Sequence, residues 1–121
     1  MKFLTCSSCD QLFIKVNDKQ NPITCCDVPV EETPLNSKLE TSDPHYPTIR
    51  KIGNFVTIII NEAHPMNETH HITTIFLETN QGYQLKHIEG DDPKADFILA
   101  KGETITNVYV HCNVHLISAL Y

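Results

Sequence analysis

The sequence predicts a mainly β protein in two parts: a short metal-stapled domain over residues 1–36 and a seven-stranded β-sandwich over residues 37–121. Three observations lead there. Four of the five cysteines lie before position 27, whereas all seven histidines lie at or beyond position 45. The second part breaks into short runs rich in Ile, Val, Thr, Phe and Tyr between turn residues, which is strand composition. No stretch repeats apolar residues at helical spacing.

In the first part, Phe3, Leu4, Leu12, Phe13, Ile14 and Val16 predict two short strands around a turn near Asn17-Asp18. Some 36 residues bury too little apolar surface to hold a fold alone, so this part needs a staple. Cys6-Ser7-Ser8-Cys9 and the adjacent pair Cys25-Cys26 offer one. A C-x-x-C turn lets both sulfurs face one ion while backbone amides point at them. Neighbouring cysteines make a poor disulfide, so a shared ion suits them better. Four thiolates form a tetrahedral sulfur set that suits zinc or iron. A redox-active dithiol is the competing reading of C-x-x-C. Residues 28–44 follow, with Pro29, Pro34 and Pro44 among Glu, Thr, Asn and Ser, and read as a polar linker with little regular structure.

In the second part strands are predicted at 48–52, 55–61, 70–79, 83–89, 95–100, 104–111 and 116–120. Gly53-Asn54 and Asn80-Gln81-Gly82 are hairpin turns between them. Seven short strands with frequent turns predict an immunoglobulin-like sandwich.

Composition narrows the function. Of the 121 residues 40% are apolar and 20% charged, a globular balance. No apolar run approaches the roughly 20 residues that span a bilayer, which argues against a membrane protein. The first nine residues lack the apolar centre of a signal peptide, so the expected location is a reducing cytosol where disulfides are rare. An odd cysteine count also forbids complete pairing. A net charge of −6 with no basic run excludes a nucleic-acid surface.

A second constellation is dispersed: His45 in Asp-Pro-His-Tyr-Pro, His64 in His-Pro-Met, His70 in Glu-Thr-His-His-Ile, and Cys112 with His115 in His-Cys-Asn-Val-His. Taken singly, each histidine reads as a surface or hydrogen-bonded residue, and spacing leaves a second metal open. Taken together, Met-Lys-Phe-x-x-Cys-x-x-Cys at the start, Cys25-Cys26-x-x-Pro29, His45-x-Pro47, His64-Pro65-Met66 with His70, and Cys112-Asn113-x-His115 resemble the motifs of the desulfoferrodoxin family of two-iron superoxide reductases. The resemblance runs in order along nearly the whole chain.

The resemblance implies a rubredoxin-type iron held by Cys6, Cys9, Cys25 and Cys26 in a desulforedoxin-like domain. It implies a second iron with His45, His64, His70 and His115 as equatorial ligands and Cys112 as axial thiolate, leaving a sixth position open. Superoxide would be reduced there to hydrogen peroxide, and an external donor such as rubredoxin would restore the iron. A homodimer is the family's common assembly. The alternative is a non-enzymatic electron carrier that uses only the four-cysteine iron. The chain departs from the family before His45, where Asp43-Pro44 replaces the usual Glu-Lys. In the family that glutamate occupies the sixth position of the ferric iron and that lysine attracts superoxide; Asp43 is one methylene shorter and Pro44 carries no charge. Leu116 also stands where the family has glycine. His71 and His111, each next to a ligand, are expected to face the opposite side of their strands, and His87 lies away from the motifs.

Overall fold

The computed structural model describes residues 2–121, and among these no helix is present. Hence no helix is long and apolar enough to cross a membrane. Contacts divide the chain into two compact units, one ending at Pro34 and the other spanning Leu35–Tyr121.

The first unit holds β1 (Lys2–Thr5), β2 (Leu12–Lys15), β3 (Thr24–Cys25), β4 (Val28–Pro29) and β5 (Glu31–Glu32). β1 is central, antiparallel to β2 and β5. The turn between β1 and β2 is the Cys6–Gln11 segment, not the predicted one at Asn17-Asp18. Cys6 and Gln11 close it with a 3.0 Å N–H to carbonyl bond, and Asp10 turns the chain at φ 63°. Among the described residues of this unit Phe3, Cys6 and Thr33 are buried, and the Thr33 hydroxyl bonds that of Thr5. The segment read as a featureless linker carries β4, β5 and β6 (Leu35–Asn36). β5 lies beside the longer β1 and β6 beside a longer strand of the second unit, which satisfy their backbone groups, while β4 closes a short hairpin with β3; local polarity does not announce these pairings.

The second unit is a sandwich of two antiparallel-dominated sheets. Its longer strands are β7 (Pro47–Ile52), β8 (Phe55–Ile60), β9 (Ile72–Thr79), β10 (Gly82–His87), β11 (Lys94–Ile98), β12 (Ile105–Cys112) and β13 (Leu116–Ala119). One sheet runs β10-β9-β12-β13-β6 and the other β11-β8-β7. β6 adds to β13 in parallel, so the sandwich gains a short strand beyond the seven predicted. Alternation puts Val56, Ile58 and Ile60 of β8 and Ala95 and Phe97 of β11 inside. They meet Ile72, Ile75, Leu77, Val108 and Val110 of the facing sheet. Truncating one of these fully buried side chains to alanine costs about 2–5 kcal/mol, since transfer and cavity terms add.

Cys112 belongs to this core and is fully buried. It ends β12 at one end of the sandwich, where the 61–71 and 113–115 loops also gather. The strand predicted from position 70 begins instead at Ile72. The Asn67 side chain accepts the backbone N–H groups of Thr69 and His70 at 3.1 and 2.9 Å, which holds this segment as a turn.

Candidate metal centres

The first unit gathers the four sulfurs of Cys6, Cys9, Cys25 and Cys26 within 4.8 Å of one another, and none forms a disulfide. Cys9 Sγ lies 3.6 Å from Cys25 Sγ, which lies 4.0 Å from Cys26 Sγ. Tetrahedral metal–sulfur bonds of about 2.3 Å set sulfurs roughly 3.8 Å apart, so the spacing fits one ion. Local backbone explains the adjacency in sequence. Thr24 pairs with Pro29 and Cys25 with Val28, leaving Cys26-Asp27 as a two-residue hairpin loop with φ 53° and 60°. Two left-handed residues form the I′ loop that normally selects Asn-Gly. In this hairpin Cys26 takes the strained position, and its sulfur joins that of Cys25.

Backbone N–H groups of Cys9 and Ser8 pull the Cys6 thiol down to about 7 against the opposing effect of burial. Hydrogen bonds to the Cys6 and Cys9 sulfurs push Cys25 up to about 12, and Cys26 is raised chiefly through Cys9. Crowded thiols cannot all ionise without a cation among them, as expected of a metal site that releases protons on loading.

The second unit arranges His45, His64, His70 and His115 as a closed ring. Successive ring centroids lie 4.7, 4.8, 4.8 and 4.9 Å apart around the cycle His45–His64–His70–His115, all edge to face. His70 Nε2 lies 3.3 Å from His115 Nδ1, which lies 3.6 Å from Cys112 Sγ. One ligand atom each from His45, His64, Cys112 and His115 falls within 4.8 Å of the others. His45 Nε2 and His64 Nε2 are buried with no hydrogen-bond partner. Such orphaned nitrogens are costly unless a partner completes them, and a metal ion does so. The other ring nitrogens are engaged: His64 Nδ1 meets the Pro65 carbonyl at 2.7 Å, and His45 Nδ1 meets Asp43 at 3.0 Å. Burial holds His64 and His70 below the usual imidazole range. The neighbouring rings add to this, while the Pro65 carbonyl opposes it for His64. Neutral imidazoles are the form that binds metal.

The structure thus gathers Cys6, Cys9, Cys25 and Cys26 in one group and His45, His64, Cys112 and His115 in another, which His70 adjoins through ring contacts with His64 and His115. Four parts of the sandwich supply the second: the 37–46 loop, the 61–71 loop, the end of β12 and the β12–β13 hairpin. Asn67 was not singled out from the sequence, and Asn113 stood there only within the Cys112-Asn113-x-His115 motif, without a role of its own. Asn67 shapes the turn of His70, and Asn113 Oδ1 accepts the His71 N–H while its Nδ2 donates to the Thr69 carbonyl. The signal for Asn67 was present in Asn-x-x-His, an Asx-turn spacing. His71 precedes its strand rather than alternating along it, and its Nδ1 meets the Asn67 carbonyl at 2.8 Å. His111 lies on β12 with Nδ1 bonded by the Thr73 hydroxyl.

A desulfoferrodoxin homolog of Archaeoglobus fulgidus is 28% identical over 117 residues, covering 95% of this chain and 92% of that one. A desulfoferrodoxin of Syntrophotalea carbinolica is 29% identical over 112 residues, covering 91% and 87%. The superoxide reductase of Treponema pallidum shares the fold, with a TM-score of 0.81 at 22% identity over 98% of this chain and 95% of that chain. The 1Fe superoxide reductase of Giardia intestinalis matches 64% of this chain and 95% of its own at a TM-score of 0.52 and 26% identity. The desulfoferrodoxin family model matches residues 36–117, a span that holds the histidine ring and its cysteine, and the chain belongs to the desulfoferrodoxin family.

Proposed function

We propose that the chain is a superoxide reductase that adds one electron and two protons to superoxide and releases hydrogen peroxide. Cys6, Cys9, Cys25 and Cys26 hold one iron in a desulforedoxin-like domain over residues 1–36. His45, His64, His70, His115 and Cys112 hold the other in the reductase domain over 37–121. The observation that carries this reading is the closed ring of four imidazoles with the Cys112 sulfur against it. Five donors exceed the four that zinc ordinarily takes. The likeness to the Giardia superoxide reductase supports the same choice.

Iron bound there supplies a one-electron couple and a Lewis-acidic position for a small anion. The four imidazoles are neutral and leave the ion's positive charge uncancelled. The Cys112 thiolate adds electron density, as thiolates do in haem enzymes. Cys112 is buried in the core while His115 is exposed, so the ring is reached from its solvent side. The electron comes from an external donor, for which rubredoxin is the proposed partner, and the protons come from solvent. The cytoplasm is the proposed location, in keeping with five free cysteines.

A homodimer is the proposed assembly, and the outer face of the β11-β8-β7 sheet supports it. Ile98, Phe55 and Ile52 pair across the three strands and stand 71%, 47% and 82% exposed. The next row along the strands is Asp96, Thr57 and Arg50. A two-fold axis parallel to the strands lays the apolar row on its own copy and sets Arg50 of each protomer over Asp96 of the other. The patch is thus self-complementary in shape class and in charge.

The test is stoichiometry. With a donor present, the iron-loaded chain yields one hydrogen peroxide per superoxide and no dioxygen. Dioxygen release at half that peroxide yield identifies a dismutase instead, and no consumption overturns the reading.

A further inference from the structure

The segment that carries His45 into the ring is an Asp-Pro-His turn. Asp43 Oδ1 accepts the His45 backbone N–H at 2.8 Å and lies 3.0 Å from His45 Nδ1. One carboxylate oxygen thus fixes both the backbone and the ring of the same residue. An imidazole whose Nδ1 faces a carboxylate keeps its proton on that side, so the lone pair sits on Nε2. His45 Nε2 is buried and partnerless, and it belongs to the ring of donors.

Asp43 is itself held in place. Its N–H donates to the Glu40 carbonyl at 2.9 Å, and its carbonyl accepts the Tyr46 N–H at 3.0 Å. The Nδ1 of His64, by contrast with that of His45, meets a neutral carbonyl.

We propose that Asp43 is a positioning residue of the histidine-ring centre. Through Nδ1 of His45 it fixes the tautomer and orientation of that imidazole and strengthens Nε2 as a donor, so its charge tunes the affinity and the reduction potential of the iron. Carboxylate–histidine pairs behind a metal commonly act this way. The carboxylate is committed to His45, and its work is done behind the imidazole. The proposal rests on the reading of the histidine ring as an iron site.

The competing account is an Asx turn that only shapes the backbone. Two substitutions in the full iron-loaded chain separate them. Asp43→Asn keeps an Oδ1 acceptor and the turn but removes the charge; Asp43→Ala removes both. The readouts are the midpoint potential of the ring iron, followed through its thiolate-to-ferric absorption, and the rate of iron loss to a ferrous chelator. Asp43→Asn is expected to raise the potential, because a lost negative charge disfavours the ferric state. It is also expected to speed iron loss about tenfold, with Asp43→Ala losing iron at least as fast. Parent potential and parent iron retention in Asp43→Asn, with defects only in Asp43→Ala, would overturn the proposal and leave a backbone role. Failure of the parent ring to take iron at all would overturn it too. Should the parent show these dependences yet consume no superoxide, the proposed activity falls while the role of Asp43 stands.

Discussion

The sulfur of Cys112 lies 3.6 Å from Nδ1 of His115, three residues on, across the turn of a hairpin whose strands pair Cys112 with Leu116. The hairpin makes the contact local, and the core fixes its direction, because Cys112 is fully buried. Cys112→Ser exchanges a soft sulfur for a hard oxygen in nearly the same volume. The expected outcome is loss of the ferric-thiolate absorption and a fall in superoxide consumption of at least about tenfold, with the far-UV circular dichroism kept. Full turnover in a folded, iron-loaded variant would remove Cys112 from the ligand set.

The two clusters lie in separate compact units, and the second unit has its own core. Cys9→Ser breaks the sulfur set of the first. Iron content is expected to drop from two per chain to one, and the first unit to lose protection in hydrogen exchange, because metal binding there is folding energy. Superoxide consumption with an artificial reductant should stay within about twofold. Loss of consumption with the ring iron still bound would show that the four-cysteine iron is needed for turnover.

Leu116 sits at φ 60°, in the left-handed region, immediately after His115, and its side chain is 40% exposed. A non-glycine residue there costs about 1–2 kcal/mol, and glycine returns part of that through a freer unfolded chain. Leu116→Gly is therefore expected to stabilise the second unit by about 0.5–1 kcal/mol in urea titrations. A loss of stability would mean that the leucine side chain contributes more by packing than it costs in strain.

Glu103 accepts from the Thr79 hydroxyl at 2.6 Å and from the Ala100 N–H at 2.8 Å, and these bonds hold its carboxyl below the ordinary 4.5. A depressed folded pKa adds stability that is present above the unfolded value and is lost as pH falls through the folded one. Thermal unfolding of the parent should weaken below about pH 4.5 more steeply than that of Glu103→Gln. Parallel acid limbs for the two proteins would show that the charge of Glu103 adds nothing.

The dimer face makes a prediction with an internal control. Ile98→Glu should shift the chain to a monomer in analytical ultracentrifugation, with dimer affinity down at least about a hundredfold. Arg50→Asp should weaken it by setting two carboxylates together, and the double variant Arg50→Asp, Asp96→Arg should restore much of the loss. A parent that sediments as a monomer, or a double variant no better than Arg50→Asp, would discard this face.

Sequence alone determined which residues carry donor chemistry. Cysteines and histidines are informative by identity, and the resemblance carried by the motifs around Cys6, Cys25, His45, His64 and Cys112 names nine candidate ligands in order. Strands of the sandwich were also legible, because period-two burial writes itself into runs such as Phe55 to Ile60. What the sequence did not contain was the pairing of distant short segments. β5 and β6 exist because longer strands satisfy their backbone groups, and the start of β9 was decided by the Asn67 side chain, which holds Thr69 and His70 in a turn. The ring itself is a tertiary object. His45 and His115 are 70 positions apart in the chain, yet their rings meet edge to face at 4.9 Å because the two-sheet core brings three loops to one end. The part played by Asp43 belongs to the same class. Its residue type permits a ligand, a turn or a hydrogen-bond partner, and only the fold turned its oxygen onto His45.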